Sequence, residues 1–232
     1  TIQIPKYPSI AAAALTEGTD MSSTTVSTSS VTVTIAEVGA QVLLTDLARD
    51  GHGNPATELG TVLGSAIAKK MDQDLLALFD GFSTSLGSAG TEITVADIFK
   101  AVAILQNNNA PGSLAAVIHP YTAYQLKANL TNTFANPNGG DAQNEAMRSS
   151  FVGSLGGVDI FQSSNLTVDG NDDVKGAVFS REALAIALKR DFQIETQRDA
   201  SLRATELNAT AVYGVGELDD TYGVELFFDA AV

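Results

Sequence analysis

The chain has 232 residues, no cysteine and a formal net charge of −14 at pH 7. This length suits one or two domains that bury a core without cross-links, and disulfides, thiolate metal sites and cysteine nucleophiles are absent. The excess of carboxylates argues against a surface built to bind nucleic acid, which needs clustered lysine and arginine. No apolar run approaches the ~18 residues of a membrane span, so we expect an intracellular protein. The chain opens on Thr1 rather than methionine, which suggests that a segment precedes it.

The first predicted feature is an exposed β-ribbon. "TIQIP" (1–5) alternates, and a second alternating run follows at 25–44. Of the 19 residues from 16 to 34, 12 are Ser or Thr, which leaves too few apolar side chains to close a core. We predict two strands joined through "TEGTDMSS" (16–23), with a disordered Ser/Thr linker as the alternative. An isolated ribbon is marginal in water, so we expect it to rest on another subunit.

A long amphipathic helix is predicted over residues 54–82. Asn54 suits an N-cap, Pro55 the first helical position and Gly81 the C-terminal end. The apolar stripe consists of Leu59, Leu63, Ile67, Met71, Leu75, Leu78 and Phe82. Gly60 and Gly64 would allow another backbone to approach closely. A core helix of an ordinary α+β domain is the alternative to a special role for so long a helix.

The remaining predicted elements alternate without a repeated βαβ period. The pattern predicts helices at 94–108 and 121–130, a loop at 132–145, and strands at 113–120, 156–166, 175–180, 183–199, 205–220 and 222–229. In the first of these helices Ile98, Val102 and Leu105 share one face. The fold class is therefore α+β rather than doubly wound.

The sequence contains no recognisable catalytic, cofactor or metal site. His52 and His119 are the only histidines and have no third ligand pattern around them. "DGNDDVKG" (169–176) resembles the start of a calcium loop, yet it lacks glycine at the sixth position, and Ser180 stands where the bidentate glutamate belongs. Nucleophile elbows, phosphate loops and dinucleotide fingerprints are also absent. We expect no cofactor and no enzymatic activity.

The order of elements resembles the major capsid proteins of tailed bacteriophages, whose fold encapsulins share. The resemblance lies in "IPKYPS" before the ribbon, "GAQVLLTDLARD" leading into the long helix, "ADIFKAVAILQNNNAPGSLAAVIHPYTAYQLK", "FVGSLGGVDIFQSSNL" (151–166), and the closing "GAVFSREALAIALKRDFQIETQRD" and "LNATAVYGVGELDDTYGVELFFD". It covers essentially the whole chain. No single motif is as specific as a set of zinc ligands, so the resemblance rests on the order of the segments along the chain.

The resemblance implies a division of the chain into three parts. Residues 1–46 would form the extended β-loop (E-loop), residues 47–94 and 188–220 the peripheral domain with its spine helix, and residues 95–187 and 221–232 the axial domain. The family usually begins with an N-terminal arm, often after a scaffolding segment, and neither is visible ahead of Thr1. Some members cross-link lysine to asparagine between subunits, but residues 22–38 contain no lysine, so we expect no such chemistry here.

The implied function is structural. Many copies would form hexamers and pentamers of an icosahedral phage head around double-stranded DNA, without sequence-specific binding and without a membrane. Scaffolding, portal and decoration proteins are the possible partners. The protein would be assembled in the host bacterial cytoplasm and reside in the virion. An encapsulin-type compartment shell and a small acidic hydrolase with an unrecognised site are the alternatives.

The predicted functional residues are therefore at subunit interfaces. They are Glu17, Asp20, Val31, Val33, Ile35, Gly64, Lys69, Lys70, Arg198 and Arg203. Glu17 and Asp20 lie at the expected ribbon tip, and we predict that they meet basic side chains of an adjacent subunit.

Overall fold

A computed structural model describes residues 1–134 and 154–231, apart from positions 8, 9, 11, 13, 19, 22, 24 and 53–55. The helices in these ranges are α1 (Asp46–His52), α2 (Ala56–Leu76), α3 (Val95–Asn107) and α4 (Pro120–Phe134), with 3₁₀ turns at Ala77–Gly81 and Asp220–Tyr222. The strands are β1 (Ile2–Lys6), β2 (Ser29–Val33), β3 (Ala36–Thr45), β4 (Ser85–Gly87), β5 (Leu114–Ile118), β6 (Ser154–Leu155), β7 (Val158–Gln162), β8 (Asp173–Ser180), β9 (Leu184–Asp199), β10 (Ala204–Glu217) and β11 (Gly223–Asp229).

The strands of the described ranges form three separate sheets. β1 and β2 form a two-stranded ribbon, and a three-stranded sheet has the order β3-β10-β9. A six-stranded sheet has the order β4-β11-β8-β5-β7-β6, in which only the pairs β4/β11 and β5/β7 are parallel. Helices therefore pack against largely antiparallel sheets, and the predicted α+β class is confirmed.

The long helix α2 lies across one face of the three-stranded sheet. Its side chains Leu63 and Ile67 are buried there against a row of β10 residues, which are Leu207, Ala209, Ala211 and Tyr213. The alternation of buried and half-buried residues along β10 gives this sheet one apolar face. The opposite side of α2, which includes Val62 and Lys69, is exposed.

The predicted long helix is present, but its apolar stripe was partly wrong. Leu75 and Leu78 are only half-buried, whereas Leu76 and Phe79 are buried. Residues four apart advance about 40° beyond a full turn of an α-helix. A row of residues spaced every four positions therefore gradually rotates away from the face that packs on the core. The chain also tightens into the 3₁₀ turn at Ala77–Gly81. The predicted start at residues 54–55 lies outside the described residues.

The largest core lies between the six-stranded sheet and helices α3 and α4. Ile98, Val102 and Leu105 are buried here, as their spacing predicted. At the start of α3 the Thr94 amide donates to Asp97 Oδ2 at 3.0 Å, and the Thr94 hydroxyl donates to the same oxygen at 2.7 Å. These bonds fix where α3 begins.

A third cluster joins the end of α2 to the six-stranded sheet. The rings of Phe79 and Phe179 lie with their centroids 5.2 Å apart, and Phe82 packs beside them. A Cβ at Gly223 would lie 2.2 Å from the Phe82 ring, so only glycine fits. This cluster packs the end of α2 and the following 3₁₀ turn against β8 of the six-stranded sheet.

Two further predictions were wrong in detail. The alternating run at 25–44 was read as one strand, but it divides into β2 and β3, which belong to different sheets. Helix α4 extends to Phe134, so the loop predicted at 132–145 begins later than expected. The rest of that loop lies outside the described residues.

Candidate assembly interface

The ribbon is attached to the rest of the chain at the end of β2. Val33 is fully buried over two glycines of β10. A Cβ at Gly214 would lie 2.4 Å from the Thr34 carbonyl oxygen, and one at Gly216 would lie 2.8 Å from Val33 Cγ2. β10 can therefore pass directly beneath the ribbon only because it has no side chains at these positions. The sequence analysis missed this contact, although two glycines spaced i, i+2 in a strand pattern are a signal for it.

The paired part of the ribbon is short. β1 and β2 pair over five positions, from Ile2 opposite Val33 to Lys6 opposite Ser29. At its far end Lys6 Nζ lies 2.6 Å from Asp219 Oδ2, just beyond β10. The predicted joint at 16–23 was too short, because the described residues of 7–28 form no strand.

The segment 7–28 exposes apolar side chains that nothing in the described chain covers. These are Tyr7, Ile10, Leu15, Met21 and Val26, with exposed fractions from 41% to 70%. Glu17 and Gly18 form a turn, with Gly18 at φ 81°. The segment carries no lysine or arginine. It is therefore an apolar and acidic arm.

The predicted residues of the ribbon differ in exposure. Val31 and Ile35 are half-buried and Thr32 and Thr34 are exposed, so the predicted alternation is confirmed. Val33, by contrast, is enclosed by its own chain and presents no surface to a neighbour.

Two of the predicted basic residues already have partners within the chain. Lys70 Nζ lies 2.6 Å from Asp74 Oδ1, and the guanidinium of Arg198 donates two bonds to Asp46 at 2.7 and 2.6 Å. The hydrogen bond from Arg198 lowers the pKa of Asp46. Burial raises the pKa of Asp74, but the hydrogen bonds from Lys70 and Tyr213 outweigh this effect, so the pKa of Asp74 is also lowered.

The other two predicted basic residues form no such pair, although the charge of Arg203 also contributes to the lowered pKa of Asp46. Lys69 and Arg203 are exposed and form no ion pair with any described residue. Arg203 has φ 52°, and its carbonyl oxygen accepts from the Asp46 amide at 2.9 Å. This bond ties the β9–β10 turn to the start of α1.

The two glycines of α2 face side chains rather than another backbone. A Cβ at Gly64 would lie 3.7 Å from Phe192 Cζ, and one at Gly60 would lie 3.7 Å from Ile194 Cδ1. Both contacts are ordinary van der Waals distances. Within this chain the predicted close backbone approach is wrong, because side chains of β9 fill the space, and the role of Gly64 at a subunit interface stays a prediction.

Apolar side chains are also exposed on the three-stranded sheet and on the elements beside it. β9 is an edge strand of 16 residues that is exposed over most of its length. Its exposed apolar residues are Ile186, Leu188, Phe192 and Ile194, and Leu43, Leu47, Val62 and Leu202 are exposed on the neighbouring elements. Long uncovered edges and apolar surfaces of this kind mark interaction sites.

The described residues offer little for catalysis. No three His, Cys, Asp or Glu side chains among them come together as metal ligands. Asp169 of the calcium-like run accepts bonds from the amides of Asn171 and Asp173 at 2.8 and 2.9 Å, so its carboxylate organises a turn. Burial lowers the pKa of His119, whose ring meets that of Tyr121 edge-on. None of the helices in these ranges is long and apolar enough to cross a membrane.

Comparisons with known proteins agree with this architecture. The sequence matches a family described as "Phage capsid protein" over residues 10–225, whereas a search of curated proteins found no match. A structure from Mycobacterium phage Che8 has a TM-score of 0.76 at 21% identity, covering 97% of this chain and 83% of that one. The head of Helicobacter pylori bacteriophage KHP40 gives 0.77 at 13% identity, covering 99% and 85%. The holo-SrpI encapsulin complex of Synechococcus elongatus PCC 7942 gives 0.65 at 11% identity, covering 89% and 78%.

Proposed function

The chain belongs to the phage capsid protein family, and from this membership we propose that it forms the hexamers and pentamers of an icosahedral head. The head encloses double-stranded DNA without reading its sequence. The ribbon and the segment 7–28 act as the E-loop, α2 as the spine helix, and the three-stranded and six-stranded sheets as the centres of the peripheral and axial domains.

The observation that carries this proposal is the uncovered arm. Segment 7–28 exposes five large apolar side chains, and its described residues form no strand. Burying apolar surface contributes roughly 25 cal/mol per Å², so such an arm is stabilised when a neighbour covers it. The apolar side chains of β9 that stay exposed beside α2 have the same requirement. In a closed shell each subunit supplies both surfaces to its neighbours.

Pairs of opposite charge would set the position in which the arm tip docks on an adjacent subunit. The arm tip carries Glu17 and Asp20 and no cation, while Lys69 and Arg203 are exposed and unpaired among the described residues. We assign the tip to these two residues of an adjacent subunit rather than to Lys70 and Arg198. The latter would first have to release Asp74 and Asp46. Exposed pairs contribute only ~0.2–1 kcal/mol each, but a shell repeats them many times.

The acidity of the chain suits a container rather than a DNA-binding protein. With a net charge of −14 the shell gains little from phosphate contacts, so packaged DNA would stay free of its wall. Scaffolding, portal and decoration proteins would act as partners during assembly in the host cytoplasm. The finished protein would reside in the virion.

An encapsulin-type shell is the second candidate, because the SrpI encapsulin shares the fold at a TM-score of 0.65. A hydrolase has no comparable support, since the comparisons point to a structural protein.

One experiment tests all three readings. The expressed protein would be separated by sedimentation and imaged by electron microscopy. Capsomers or closed shells are expected, and a stable monomer at high concentration with segment 7–28 protected from protease would contradict the proposal. Particles produced during infection should contain DNA, whereas a cargo enzyme inside them would favour the encapsulin reading.

A further inference from the structure

The ribbon touches the rest of its own chain at two points that lie at opposite ends of its ladder. Val33 sits over Gly214 and Gly216, and Lys6 pairs with Asp219. Lys6 stands opposite Ser29 in the ladder, so the two points are four residues apart along β2. At ~3.3 Å per residue this separation is about 13 Å. One contact alone would leave the ribbon free to swing, whereas two fix its direction.

The two contacts differ in kind. At the first contact the buried Val33 side chain and the Thr34 backbone lie against the two glycines, so this contact acts as a pivot. The Lys6 contact is a single ion pair, and 43% of the Lys6 side chain but only 13% of the Asp219 side chain is exposed. The ion pair can therefore break without disturbing the core.

Asp219 is prepared to receive Lys6. Its Oδ1 accepts from the amide and the hydroxyl of Thr221 at 3.1 and 2.7 Å, which leaves Oδ2 facing the ribbon. Glu217 and Asp220 lie in the same acidic group, and burial followed by these neighbouring charges raises the pKa of Glu217. Within the described ranges, Lys6 is the only cation that forms an ion pair with this group. It thus relieves repulsion among three carboxylates.

We propose that Lys6 and Asp219 form a latch that sets the angle at which the arm 7–28 leaves the subunit. With the latch closed, the ribbon runs across the end of β10 and the arm points in one direction. With it open, the ribbon pivots at Val33 and the arm samples a range of directions. Only the consequence for shells rests on the proposed function: a closed latch would give neighbours one docking geometry and hence shells of one size.

The latch is tested first on unassembled subunits. Lys6→Gln removes the charge, and Asp219→Asn keeps the oxygen that accepts from Thr221 but loses the acceptor for Lys6. Each should speed hydrogen exchange of the β1 and β2 amides about two- to fivefold. The double variant should exchange no faster than either single one, because both remove the same interaction.

A matched control separates the latch from a general effect of charge. Lys100 is exposed on α3 and forms no ion pair with any described residue, so Lys100→Gln should leave ribbon exchange unchanged. If Lys6→Gln behaves like Lys100→Gln, or if the effects of Lys6→Gln and Asp219→Asn add, there is no latch even when the protein builds shells. If wild-type protein stays monomeric while both latch variants loosen the ribbon, the latch stands and the proposed function fails.

When shells do form, Lys6→Gln should broaden their range of diameters. A range as narrow as that of wild type would overturn the role of the latch in setting docking geometry.

Discussion

At the scale of single residues, Gly214 is required by packing rather than by backbone conformation. A Cβ there would lie 2.4 Å from the Thr34 carbonyl oxygen, a backbone atom that cannot rotate away. We expect Gly214→Ala to destabilise the unassembled subunit by about 1–3 kcal/mol, measured by chemical denaturation. Gly170→Ala is the control, because a Cβ at Gly170 meets nothing within 4 Å. Equal stability of the two variants would show that the ribbon shifts at no cost.

A second residue-scale prediction concerns Gly64 on α2. A Cβ here would lie in ordinary contact with Phe192, at 3.7 Å, so Gly64→Ala should fit and stabilise the helix by up to ~1 kcal/mol. Gly64→Leu must displace the Phe192 ring and should disturb the packing of β9 on α2. Melting temperatures of the two variants and their shell yields give the comparison. Normal yield and stability for the leucine variant would mean that Phe192 moves aside freely.

Residue-scale contacts were the part of the structure least open to prediction. The alternation of Val31, Val33 and Ile35 follows from a period of two and was recognised from the sequence. The pair Lys6–Asp219 joins the two ends of the chain and leaves no local pattern. Likewise, the sequence shows that Arg198 is basic, but it does not show that its partner is Asp46, because the fold brings these two distant residues together.

At the scale of elements, the positions of α2, α3 and most strands follow from periodicity, whereas the short elements α1 and β4 were not predicted and the ends of elements follow from tertiary contacts. Helix α3 carried its own signal, because Thr94 and Asp97 cap it locally. The division of the run 25–44 had no such signal. β2 and β3 share one alternating pattern, and only their different partners, β1 and β10, separate them into two sheets.

An element-scale prediction concerns the attachment of α2 to β10 through Tyr213 and Asp74. The Tyr213 hydroxyl donates to Asp74 Oδ2 at 2.7 Å, and burial, then Asp74, raises the pKa of Tyr213 from 10.0 to about 12. Because the folded state holds the phenol proton more tightly than the unfolded state, this stability is complete below pH 10 and is lost as the pH rises towards 12. The loss amounts to about 2–3 kcal/mol.

The test compares urea unfolding of wild type and Tyr213→Phe at about pH 9 and about pH 11.5. Other tyrosines and lysines titrate in the same range, so the informative quantity is the difference between the two proteins. Tyr213→Phe should be less stable at the lower pH and approach wild type at the higher one. A difference that does not change with pH would show that Tyr213 titrates as an ordinary tyrosine.

At the scale of the whole molecule, the order of elements along the chain predicted the fold better than any single sequence motif did. The described ranges contain the ribbon, the long helix on one sheet and two helices on another, in the order that the resemblance implied. The structural neighbours share this order at 11–21% identity. The contacts between subunits depend on surface residues of two chains, which a periodic pattern within one chain does not specify.

The last prediction concerns how the arm docks on a neighbour. The arm is acidic and apolar, and its tip residues Glu17 and Asp20 make no ion pair with any described residue of the same chain. Glu17→Lys with Asp20→Lys should impair assembly at low salt, where exposed pairs are least screened, and leave the fold and melting of the subunit little changed. Since Lys69 and Arg203 are unpaired, Lys69→Glu with Arg203→Glu in the same chain should restore assembly in part.

The matched control reverses the two cations that are already paired within the chain. Lys70→Glu with Arg198→Glu should not restore assembly, because it also breaks the pairs with Asp74 and Asp46 and leaves those carboxylates facing new negative charges. Light scattering follows assembly, and circular dichroism confirms that each variant is folded. If this control pair restores assembly, the tip carboxylates dock on Lys70 and Arg198 instead of Lys69 and Arg203. Normal assembly of the tip variant at low salt would remove charge from the docking mechanism altogether and leave the apolar side chains of the arm as its sole basis.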